Sequence, residues 1–132
     1  MVAEALSDRG TKDPKALKVA FSQTLAGGAS ATATLATPSS GKKVVVVSIS
    51  HIALGGIGVN TKLQFFSDST AITGLLTPTI QSLGQNGHVN SGYMPDGHFW
   101  TAVDEPLGIT VTNGSGMSKL CTVDGFLKYF EE

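Results

Sequence analysis

Three histidines (His51, His88 and His98), a single cysteine (Cys121) and ten carboxylates are the side chains of this chain that could do chemistry. Histidines two apart on a strand share a face and could ligate one metal ion, because only alternate residues point the same way. Here there is no His-x-His, and His88 and His98 stand ten positions apart. Ligand count and spacing both fail, and the expectation is no metal and no cofactor. Cys121 falls inside an apolar, strand-like stretch, where a cysteine behaves as a small buried hydrophobe. No Gly-x-Ser-x-Gly and no Ser/His/Asp arrangement stands out. The stretch "GGIGVN" lacks the third glycine and the following helix of a dinucleotide site. Asn113-Gly114-Ser115 matches a glycosylation sequon, but a tight turn explains Asn-Gly better. The expectation is a protein that is not an enzyme.

What remains is contact chemistry. Tyr93, Met94, Phe99 and Trp100 fall within eight residues, with His98 among them. Trp, Tyr and Met are enriched in interface cores. Phe99 and Trp100 are adjacent, so on a strand they point to opposite faces. One should be buried and the other available to a partner. The N-terminal segment adds Val2, Leu6 and Arg9. Tyr93, Met94, His98, Trp100, Val2, Leu6 and Arg9 are therefore the candidate partner-contact residues.

Composition narrows the partners. Nine basic and ten acidic residues leave a formal net charge of −1, with no Lys/Arg run. A nucleic-acid partner, which needs clustered cations, is not expected. Charged residues make up 14 % of the chain, against about 25 % in ordinary domains. Such a surface suits a protein that lives in an assembly, and a homo-oligomer is expected. The N-terminus lacks the apolar stretch of a signal peptide. The longest apolar run, "VVVVSISHIALGGIGV", is broken by Ser, His and Gly and makes a poor membrane span. The expectation is a protein made and used without secretion, with no membrane partner.

The elements that must position these residues read as strands. Residues 1–15 are polar, close on Pro14, and carry too few apolar groups to order alone. They form a short flexible arm, and residues 16–132 form one domain. Leu17, Val19 and Phe21 alternate with Lys18, Ala20 and Ser22, the period of a strand. "ATATLAT" is a small-residue strand. Residues 43–52 are rich in β-branched side chains, apolar on both faces at their start, and read as a central strand. Further strands follow at 62–66, with Leu63 and Phe65 facing one way, and at 71–76, 88–93, 98–103 and 107–112. Asn86-Gly87 is a hairpin signal.

The last segment, residues 119–130, is the ambiguous one. Gly125 would cost a helix about 1 kcal/mol relative to Ala. In a strand it marks a bulge or a bend. Thr122, Val123, Phe126, Tyr129 and Phe130 favour a strand, and with residues 107–112 and the turn at 113–116 it should form a hairpin. Short strands with turns every ~8–12 residues imply an all-β sandwich or barrel.

The order "KKVVVVSISHIAL", then "KLQFFSDS", then "PLGITVTNGSGMSKLCTVDGFLKYFEE" resembles small jelly-roll structural proteins of tailed-phage virions, above all head decoration or cement proteins. In that pattern a late "gL.ltvt" strand and a Gly/Ser turn precede a terminal "v.v.G.l.Y.e" strand, matched here by residues 107–113 and 121–132 with Gly125, Tyr129 and Glu131. The resemblance implies an antiparallel two-sheet jelly-roll sandwich of about eight strands. It also implies a bacteriophage structural protein, made in the host cytoplasm. Such a protein binds the capsid exterior through the major capsid protein or other virion subunits. It offers no catalytic residue. Two alternatives accompany it. One is a carbohydrate- or receptor-binding β-sandwich, for which Trp100 and Asp104 are the candidates. The other is a cupin-like metalloenzyme, of whose second motif "GYMPDGH" is a faint echo.

Overall fold

The computed structural model describes residues 16–55, 61–76, 87–114 and 120–132. The N-terminal segment, with Val2, Leu6 and Arg9, lies outside the described residues, as do Asn86 and the interior of the turn after Gly114. Among the described residues there is no helix. The described residues form nine strands in two sheets: β1 (Leu17–Leu25), β2 (Ser30–Ala36), β3 (Val44–Gly55), β4 (Thr61–Ser67), β5 (Thr70–Ala71), β6 (Gly87–Ser91), β7 (Phe99–Trp100), β8 (Leu107–Asn113) and β9 (Cys121–Glu131).

Sheet A runs β1-β9-β3-β6, with β7 also paired to β3, and sheet B runs β2-β8-β4-β5. All pairings are antiparallel. Segment 87–101 is one interrupted strand. Met94 N–H donates to the Val47 carbonyl (2.9 Å), His98 N–H to Val46 (2.7 Å) and Thr101 N–H to Val44 (3.0 Å), bridging β6 to β7 along the same edge of β3. Taking β6 and β7 as one, first pairs with last, second with seventh, third with sixth and fourth with fifth. This is a long hairpin rolled into two four-stranded sheets, the jelly roll.

The core follows from period-two alternation. In sheet B, Leu63, Phe65, Leu107, Ile109 and Val111 point inward, while Lys62, Gln64, Thr110 and Thr112 point out. Sheet A contributes Phe21, Val44, Val46, Ile49, Cys121, Val123 and Leu127. Phe65 packs on Phe99 with ring centroids 5.0 Å apart. Phe21 pairs with Gly125, so its ring lies opposite a position with no side chain of its own.

Three expectations need correction. The segments at 107–112 and 119–130 are strands but not a hairpin: β8 lies in sheet B and β9 in sheet A. The reason is long-range. β9 finds nine partners on β1 and eleven on β3, so the chain changes sheets where a local turn could equally have folded back. The bulge is not at Gly125, which is paired in register with Phe21 and His51. It lies at Val47, where the register shifts between Val46 and Ser48 and moves the inward phase from Val44 and Val46 to Ile49. Finally, the strands expected at 71–76 and 98–103 shrink to Thr70–Ala71 and Phe99–Trp100.

Candidate contact surface and cleft

Tyr93, Met94, His98 and Trp100 are brought together by a short excursion of the edge strand. Between Met94 and His98, which both bond β3, residues 95–97 turn away from the line of the strand and return to it at β7. Pro95 and Gly97 make the turn: Gly97 N–H donates to the Met94 carbonyl (2.9 Å), with Gly97 at φ 90°. His98 Nε2–H donates to the Gly92 carbonyl (2.7 Å), tying the two ends of the excursion together. Met94 is exposed, and Tyr93 and His98 are half-buried. Phe99 turns into the core and Trp100 outward, at 51 % exposure, as alternation requires.

Trp100 does not stand alone. It pairs with Val45, and Val45 pairs with Phe130, so the three form one row across the outer face of sheet A. Lys43 Nζ lies 5.4 Å from the centre of the Trp100 ring. Four residues back along β9, Phe126 is exposed on the same face, with Lys18 Nζ 4.3 Å above its ring. Lys18 and Lys128 are direct cross-strand partners. Like charges opposite each other repel, and the Phe126 ring gives the Lys18 cation a favourable seat. Beyond them the face turns polar: Ser22 Oγ donates to Asp124 Oδ1 (2.5 Å), and the hydroxyls of Thr24 and Thr122 lie 2.9 Å apart. Phe126 and Phe130 lie on this face but were not among the candidates read from the sequence. Period-two alternation from Leu127 and Tyr129 could have found them.

The other residues singled out in the sequence are placed elsewhere in the fold. Cys121 is buried in the core. His51 lies in β3, paired with Gly125 and Val89, and His88 lies in β6, paired with Ile52. Among the described residues, no cluster of His, Cys, Asp or Glu could hold a metal. Asp104 at φ 66° is engaged: its carboxylate accepts the Gly41 N–H (2.6 Å) and its own N–H donates to the Lys42 carbonyl (2.8 Å). Asn113 is fully buried. Its Nδ2–H donates to the Leu25 carbonyl (2.9 Å), its N–H to Ala29 (2.9 Å), and its carbonyl accepts the Gly28 N–H (2.8 Å). The sequon asparagine is thus the tie between β8 and the β1–β2 corner. Glu131 accepts the Ser39 N–H, which holds its carboxyl below the usual range, with the Lys42 charge a lesser cause. Burial, and then the charge of Glu131, push the Tyr129 phenol up.

The outer face of sheet B carries a cleft of about 330 Å³. Gly108 and Thr110 form its floor, Thr32 and Thr34 one side, Phe66 and Pro106 the other, and Asp68 and Ser69 the rim.

No family model matches the sequence, and no curated protein is similar enough in sequence to stand as a relative. Solved structures are similar in fold. A chain of the cyanophage Pam1 capsid asymmetric unit is 15 % identical, with a TM-score of 0.55 over 87 % of this chain and 84 % of that one. A structure described as "CBM4 structure and function" is 12 % identical, with a TM-score of 0.44 over 91 % and 96 %. A chain of the infectious bursal disease virus Gx strain is 10 % identical, with a TM-score of 0.36 over 88 % and 39 %. At these identities the likeness to the capsid chain is one of fold alone.

Proposed function

We propose that this chain is a non-enzymatic structural protein of a virion, a head decoration or cement protein that seats on an assembled phage capsid and stabilises it. The observation that carries the reading is the outer face of sheet A. There Trp100, Phe130 and Phe126 sit on a regular sheet with Lys18, Lys43 and Lys128 around them. Large apolar groups exposed on a rigid sheet can be desolvated at little entropic cost. The lysines suit a partner surface that is apolar with an acidic margin, such as a major capsid protein or another virion subunit. The jelly-roll fold, like that of the cyanophage capsid chain, supports the reading. A homo-oligomer would engage several capsid sites at once and gain avidity without new contacts.

The test is co-sedimentation with capsids stripped of this protein. Trp100→Ala should weaken attachment at least about tenfold, as truncation of a hot-spot aromatic does. Trp100 is half exposed, so losing the buried half of its ring should cost about 2 kcal/mol, which lowers the melting temperature by less than about 10 °C and leaves the variant folded in the assay. Removing residues 1–14, which hold Val2, Leu6 and Arg9, should also weaken attachment and leave the melt nearly unchanged. If neither change affects attachment, the capsid is held by some other surface and the assignment of this face fails.

A further inference from the structure

The cleft on sheet B lies outside the contact face. We propose that it binds a neutral saccharide. Four observations converge on that class of ligand.

The first is Gly108. It sits inside β8, between Thr34 on β2 and Phe66 on β4. A glycine there weakens the strand, and such a residue often marks close approach by a ligand. Nothing else visible demands it. Gly108 is not at positive φ, and an added Cβ would rest at ordinary contact distance, 3.5 Å from the Ala33 carbonyl oxygen and 4.0 Å from Phe66 Cβ. The neighbouring bulge is on β2, at Leu35. What the missing side chain does produce is the trough.

The second is the lining. A sugar ring offers a patch of C–H groups on its faces and hydroxyls around its edge. Phe66 presents an aromatic ring for the former, and Thr32, Thr34 and Thr110 present hydroxyls for the latter. The Thr32 and Thr110 hydroxyls are 3.0 Å apart, and each keeps capacity for a further bond.

The third is Asp68. It is the charged residue of the lining, and among the described residues its carboxylate has neither hydrogen-bond donor nor cation beside it. A carboxylate can accept from two adjacent sugar hydroxyls and repels phosphate, sulfate and carboxylate ligands.

The fourth is rigidity. The Asp68 N–H donates to the Pro106 carbonyl (2.9 Å). Ser67 Oγ donates to Glu105 Oε1 (2.6 Å) and accepts the Ala102 N–H (2.9 Å). The rim is thus fixed before a ligand arrives, which lowers the entropic cost of binding. The volume falls in the range of small-ligand sites.

The experiment titrates the isotope-labelled full chain with neutral cello-, xylo-, malto- and galacto-oligosaccharides, followed by amide chemical shifts. Sialylated and sulfated oligosaccharides serve as comparators. A neutral member should produce saturable shifts at Thr34, Phe66 and Gly108, with the acidic ones at least about tenfold weaker. Gly108→Thr fills the trough with a good strand former, so it should abolish the shifts while keeping or raising the melting temperature and leaving capsid attachment unchanged. Phe66→Leu keeps an apolar side chain but removes the ring face, and should weaken binding independently of Gly108→Thr. The proposal is overturned if no neutral saccharide saturates the cleft, if acidic saccharides bind as tightly, or if both variants bind like the wild type.

Discussion

Gly97→Ala should destabilise this protein far more than the same change at another turn glycine, because two separate costs meet at that position. Gly97 has φ 90°, and a Cβ built there falls 2.4 Å from Val45 Cγ1. Holding an alanine in that backbone region costs about 1–3 kcal/mol. The overlap is worse. Val45 is 3 % exposed on the central strand, between Trp100 and Phe130, and has nowhere to go. Overpacking of that kind adds about 1–3 kcal/mol. The excursion can escape only by lifting, which breaks the bonds from Gly97 N–H to Met94 and from His98 N–H to Val46. The sum is about 2–6 kcal/mol, and at this chain length a loss in the middle of that range lowers the melting temperature by roughly 12–20 °C. Gly28 is the control. It has φ 81° with nothing within 4 Å of an added Cβ, so Gly28→Ala carries the backbone cost alone, about 1–2 kcal/mol. Urea unfolding of the two variants and of Gly97→Ala/Val45→Ala is the assay. The double variant should recover the steric part. If Gly97→Ala costs no more than Gly28→Ala, the excursion does not rest on Val45 as described.

Three further outcomes are expected. Phe65→Ala empties a fully buried site against Phe99 and should cost about 3–5 kcal/mol by urea unfolding; a loss under about 1 kcal/mol would contradict that packing. The carboxyl of Glu131 titrates below its unfolded value, so its contribution to stability is present above the ordinary carboxylate range and is lost as pH falls through the lowered value. Melts at descending pH should show Glu131→Gln losing less stability than the wild type, and parallel curves would refute the Ser39 contact as the cause. A chelator should leave the melting temperature unchanged, since a metal bound by the native state would stabilise it by mass action; a clear drop would revive the metalloenzyme alternative.

Much of the fold could be read from local pattern, because the period of a strand is a local property. Leu63 and Phe65, and Leu107, Ile109 and Val111, alternate with polar neighbours and are buried as that alternation requires. The β-branched run at 44–47 marked the central strand, and the adjacency of Phe99 and Trp100 was enough to send one ring inward and the other out. Which sheet a strand joins is not local. β9 left β8 because β1 and β3 offered it a full-length seat in sheet A, a sum of pairings with residues as distant in sequence as Leu17 is from Tyr129 and Gly55 from Cys121. The bulge at Val47 belongs to the same level: one extra residue re-phases β3 to match Leu127 and Tyr129, and no residue type in β3 announces it. The cleft is the extreme case. Thr32 and Thr110 touch across 78 positions of sequence, and the gap at Gly108 acquires a meaning only when Thr34 and Phe66 are laid on either side of it. Side-chain alternation is written into each segment by backbone geometry. Sheet partnership, register and concave surface arise only when distant segments compete to bury the same core.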